Sequence, residues 1–116
     1  NLYRQKSLNN LYQFYLLIDM NKEFEETIFS YPDIGELKEY QEILIKTSKN
    51  KLINAYEEII YDLLKIAKRS KYRKVAKILK QMKEIPGIQS DIKRIKKDLK
   101  EKYPQRKALH QEIKNI

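Results

Sequence analysis

Apolar side chains recur every three or four residues along almost the whole chain, and little interrupts them. Leu8, Leu11, Tyr12, Tyr15 and Leu16 make one such stripe, and Phe24 with Ile28 a second. Leu37, Tyr40, Leu44 and Thr47 make a third, and Leu52, Ile53, Tyr56, Ile59, Ile60, Leu63, Leu64 and Ala67 the widest. Val75, Ala76, Leu79, Met82 and Ile85 follow, then Ile88, Ile92, Ile95 and Leu99, and finally Leu109, Ile113 and Ile116. This spacing gathers apolar groups on one face of an α-helix and scatters them over both faces of a strand. With only two glycines and three prolines in 116 residues, the chain also lacks the turn residues of an all-β protein. An all-α fold is expected.

Punctuation divides the pattern into about seven helices, near residues 2–18, 21–30, 34–47, 50–68, 71–85 and 88–102, with a last one opened by Pro104. Pro32 ends the second helix, because the residue before a proline avoids helical geometry. Ser48 and Asn50 are candidate N-caps for the fourth helix and Ser70 for the fifth, which Pro86-Gly87 closes. The fourth, with the widest stripe, is expected at the centre, and its Leu63 in the core. Connections of two to five residues make neighbours antiparallel, so helical hairpins would stack side by side as an α–α superhelix. Tyr72, Ala76 and Leu79 resemble the first helix of a tetratricopeptide (TPR) unit, giving a TPR-like right-handed stack, although the roughly 34-residue repeat does not recur. Residues 1–116 read as a single helical domain. Without an initiator methionine, it is expected to be a piece of a larger protein.

Charge is unevenly placed. Up to residue 67 there are 8 Lys/Arg against 11 Asp/Glu, a balance of −3; from residue 68 on there are 17 against 5, a balance of +12. Arg73, Lys74, Lys77 and Lys80 point away from one apolar stripe, and Lys93, Arg94, Lys96, Lys97 and Lys100 away from the next. Acids are sparse there, only Glu84, Asp91, Asp98 and Glu101. A merely solubilising face mixes signs, so these nine cations are the candidate contacts for nucleic acid or another polyanion.

Catalytic and metal chemistry find little support. There is no cysteine, which removes thiolate nucleophiles and cysteine metal sites and suits a reducing, cytoplasmic setting. His110 is the only histidine and no carboxylate stands at a metal-ligand offset from it, so it reads as a surface or packing residue. Glu58 and Asp62 share a helix face, but with Lys65 and Lys51 nearby they read as a solvated face. Gly35 and Gly87 are isolated, so no phosphate-cradling loop exists. Tyr61, Tyr72 and Tyr103 lie in or near the basic half and could stack bases; Tyr12, Tyr15, Tyr40 and Tyr56 fall on the stripes and read as core. No apolar run approaches the roughly 20 residues of a membrane span.

The stretch SKYRKVAKILKQMKEI, followed after a short break by IKRIKKDLKEKYPQRKALHQEI, is similar to the C-terminal helical region of bacterial SWIM zinc-finger proteins. In that region a Tyr-x-x-Val/Ala-Ala-x-x-Leu helix precedes a second helix and a Lys-Tyr-Pro-x-Arg-x-Ala-Leu ending, here Lys102 to Leu109. The family's zinc motif, three cysteines and a histidine, is absent. The resemblance implies a metal-free helical scaffold from a protein whose zinc module is associated with DNA or protein binding. The expected function is a non-enzymatic interaction domain without cofactors, binding a protein partner and contacting polyanions through its basic half. The alternatives are a sequence-nonspecific DNA- or RNA-binding domain, or an accessory part of an enzyme whose active site lies elsewhere.

Overall fold

The computed structural model describes residues 2–17 and 21–116. They form seven helices and no strand: α1 (Leu2–Leu17), α2 (Asn21–Ser30), α3 (Ile34–Glu39), α4 (Gln41–Leu63), α5 (Arg69–Met82), α6 (Gln89–Lys102) and α7 (Lys107–Ile113). The fold is all-α. Its envelope of 48 × 32 × 18 Å is about two helix layers thick, since packed helix axes lie about 8–10 Å apart. Sequence neighbours approach closely at α1–α2, α3–α4 and α4–α5; α2 also meets α4, and α5 meets α7, two elements on.

The apolar stripes form the core. Tyr12, Phe24, Ile28, Leu37, Leu44, Leu52, Tyr56, Ile60, Leu64, Val75, Leu79, Met82, Ile95, Leu99 and Leu109 are all buried. At the N-terminal end the rings of Tyr12, Phe24 and Tyr40 meet edge to face with centroids 5.3–5.5 Å apart, the orientation favoured by the ring quadrupole. This cluster locks α1 and α2 onto the α3–α4 junction. The buried Tyr12 hydroxyl donates to the Glu36 carboxylate at 2.7 Å, and the buried Tyr56 hydroxyl donates to Gln41.

Several boundaries differ from expectation. The 34–47 helix divides at Tyr40, where Asp33 caps the short α3 by accepting from the Glu36 amide at 3.1 Å. The break expected at Ser48–Asn50 is a kink within α4, with Ser48 at φ −153, ψ 53. Ser48 caps nothing, because its hydroxyl is bonded to Glu25 of α2. Lys68, not Ser70, stands at the N-cap of α5, in extended conformation. That helix ends at Met82 rather than 85, and Ile85 and Ile88 reach the core from the turn that follows. Gly87 sits in this turn at φ 76, a left-handed conformation that costs glycine least. Pro104 precedes α7 by a turn instead of opening it. Leu63 is only partly buried; its neighbour Leu64 is the core residue.

Candidate functional site

The nine basic candidates do not form one face. Arg94 is occupied internally: its Nη1 and Nη2 donate to the two Glu57 carboxylate oxygens at 3.1 and 2.7 Å, with Asp91 and Asp98 each 3.7 Å away. The bond to Glu57 raises the guanidinium above its ordinary value, against a smaller opposing effect of burial. Arg73 lies 3.9 Å from Glu112, which Arg69 also approaches at 3.8 Å. Lys96 donates to the carbonyls of Lys114 and Ile116 just past α7, where partial negative charge collects. Lys74, Lys77, Lys80, Lys93, Lys97 and Lys100 are exposed and have no ion pair among the described residues.

Five of those six fall into two sets, Lys74 and Lys77 on α5 and Lys93, Lys97 and Lys100 on α6. On α4, Glu57 and Tyr61 look toward α6, whereas Ile59 and Leu63 look toward Lys74 and Lys77 of α5. Two residues along a helix are about 200° around it, so the two sets of cations flank opposite sides of α4. On α6, at about 100° per residue, Lys93, Lys97 and Lys100 lie within about 60° of one another and clear of Arg94.

The tyrosines that could have stacked bases are committed elsewhere. Tyr72 is buried. The Tyr61 ring is covered by Lys102 at 4.7 Å from its centroid, and the Tyr103 ring by Arg106 at 4.2 Å. Burial, followed by Asp98 and Glu57, raises the Tyr61 hydroxyl. His110 packs, as expected, with Nε2 2.7 Å from the Tyr103 carbonyl oxygen.

Sequence reading missed a groove between α3, α4 and α5, of about 390 Å³. Its apolar lining is Ile34, Ile59, Leu63 and Ile78, and Lys38, Lys74 and Lys77 stand on its rim. Ile34 is 38% exposed although it is a large aliphatic side chain. Gln81 closes one end, its amide donating to Gln41 and Glu84 at 3.3 and 3.1 Å. Among the described residues no carboxylate pairs with Lys38, Lys74 or Lys77. The stripes gave one signal: Ile59 and Leu63 broaden the α4 stripe beyond what one contact face needs. Lys38 was hidden by its place in the acidic half.

The carboxylates of Glu58 and Asp62 line a shallow depression with Asn54, Glu57, Tyr61 and Lys65. Asp62 pairs with Lys65 at 3.0 Å, both side chains about three-quarters exposed. Among the described residues no cluster of three or more His, Cys, Asp or Glu could hold a metal ion. With no cysteine in the chain, the zinc of the SWIM family has no ligand set here. No helix of the described residues is long and apolar enough to cross a membrane. In comparisons with known proteins, no family model, no curated protein and no solved structure matches this chain.

Proposed function

We propose that the chain is a non-enzymatic interaction domain that holds a segment of a protein partner in the α3–α4–α5 groove. The observation that carries this reading is an apolar floor beside unpaired lysines, in which Ile34 is exposed and Ile59 and Leu63 are half-buried above the buried Ile78. Grooves between helices, mostly apolar with a few placed polar groups, are a recurrent form of binding site. We read its setting as a TPR-like stacked-hairpin scaffold in a cytoplasmic protein. The test is a peptide-display selection on the intact chain, run in parallel on Ile34→Glu. Ile34 is exposed at the first position of α3, where an acidic residue suits the helix dipole. Peptides enriched on the wild type and lost on Ile34→Glu are expected. Failure to enrich any peptide, or equal enrichment on the variant, overturns the reading.

A second reading, polyanion contact, rests on Lys93, Lys97 and Lys100, exposed together on one flank of α6. It would supply salt-sensitive, sequence-independent affinity for DNA or RNA.

A further inference from the structure

We infer that the occupant of the α3–α4–α5 groove is an acidic amphipathic helix, which places apolar residues on the floor and carboxylates against Lys38, Lys74 and Lys77. This rests on the reading of the groove as a protein-docking site and adds the chemistry of the partner.

Three features carry it. The first is dimension. Along α5 the groove runs from Lys74 to Gln81, seven residues or about 10 Å at 1.5 Å each. A docked helix presents anchors at i, i+3 or i+4 and i+7 over the same length, the usual pattern when an amphipathic helix enters an apolar groove.

The second is the charge of the rim. Lys38 comes from α3, and Lys74 and Lys77 from α5, so cations border the floor on both sides. No carboxylate of the described residues pairs with any of them. Some cations elsewhere are committed, Arg94 to Glu57, Arg73 to Glu112 and Lys65 to Asp62, whereas Lys80, Lys93, Lys97 and Lys100 are as unpaired as those of the rim but border no apolar floor. Facing charges of opposite sign set register and speed encounter.

The third is the nature of the floor. Ile34, Ile59, Leu63 and Ile78 are aliphatic and none is aromatic, whereas single-stranded nucleic acid is gripped by aromatic platforms. Lysine–carboxylate contact beside an aliphatic floor therefore favours an acidic protein segment over a nucleic acid.

The experiment uses the full chain and the peptides enriched in the display selection, with fluorescence anisotropy as readout. The sequences recovered should carry an i, i+3/i+4, i+7 apolar pattern flanked by Asp and Glu. One enriched peptide is then synthesised in three forms: as selected, with every Asp and Glu replaced by Asn and Gln, and with them replaced by Lys. Binding of the selected form should weaken on the order of tenfold for Lys74→Glu/Lys77→Glu, and the Lys form should bind that variant better than it binds the wild type. Both lysines are exposed, and the milder Lys74→Gln/Lys77→Gln should show an intermediate loss. Equal binding of the neutral and acidic forms would overturn the inference while leaving the docking reading intact. So would displacement of the peptide by an oligonucleotide from the groove, or concentration-dependent self-association that Ile34→Glu abolishes. Failure of the selection itself would instead remove the docking reading.

Discussion

Arg106 donates its Nη1 to the carbonyl of Leu64 at 2.6 Å, across 42 residues of sequence. Leu64 is the C-cap of α4, and the last carbonyls of a helix have no partner within it. The same guanidinium lies over the Tyr103 ring. The connection between α6 and α7 is thereby fastened to the end of the central helix. Arg106→Ala is expected to lower the unfolding free energy by about 1.5–3 kcal/mol, the range for a hydrogen bond to a charged group. Arg106→Lys should recover only part, since lysine keeps the charge without the planar fork. Denaturant titration measures both; an alanine variant as stable as wild type would show that this bond holds nothing.

Adjacent leucines give the sharpest packing test. Leu64 has no exposed surface, and Leu64→Ala should cost about 2–5 kcal/mol as a core truncation. Leu63 lines the groove, so Leu63→Ala should cost distinctly less in stability but weaken binding of peptides selected on the groove. Equal losses of stability from the two would place both in the core.

That pair also shows where sequence reading stops. Periodicity identified most of the buried apolar residues of α4 and α5 and those of α6, because a helix must turn its stripe inward, but it left out Ala55, Tyr72 and Ile78, which are buried too. It could not say which edge of a wide stripe would stay uncovered, because that depends on where α3 and α5 come to rest. The kink at Ser48 was sensed as a break, but its hydroxyl bonds Glu25, 23 residues away, a partner no local rule supplies. The basic residues were legible as a count and not as a surface. Arg94 has Glu57 across the interface, and Lys38, separated from Lys74 by the whole of α4, joins it only in three dimensions.

Alkaline pH should destabilise the fold. Burial, then the bond to Glu36, raises the Tyr12 hydroxyl above its ordinary value of 10.0; burial, then Glu84, raises that of Tyr56. A raised folded pKa means the neutral phenol is favoured in the folded state. The stability it provides is complete below pH 10.0, the unfolded value, and is lost as pH rises toward the folded one. Urea unfolding at about pH 8 and about pH 11, either side of ordinary tyrosine ionisation, should therefore show a marked fall. Tyr56→Phe should reduce that fall, since phenylalanine has no proton to lose and Gln41 keeps its bond from Gln81. A variant with an unchanged alkaline fall would remove Tyr56 as a contributor.

The last prediction concerns the basic flank of α6 and separates it from the groove. If Lys93, Lys97 and Lys100 contact phosphates, the log of duplex-DNA affinity should fall with log salt at a slope near −0.9 per phosphate engaged. Three lysines would give a slope of roughly −3, measurable by titrating a fluorescent oligonucleotide between about 50 and 150 mM salt. Reversing the three to glutamate should abolish binding at the lower salt and leave the fold intact, because they lie off the Ile92, Ile95 and Leu99 stripe. Lys74→Glu/Lys77→Glu, on the far side of α4, should leave the salt slope unchanged, and Arg94→Gln should change it little because Glu57 already neutralises that charge. Binding that survives the α6 reversal, or that disappears with the groove variant instead, would mean that the lysines of α6 only keep a packed helix hydrated.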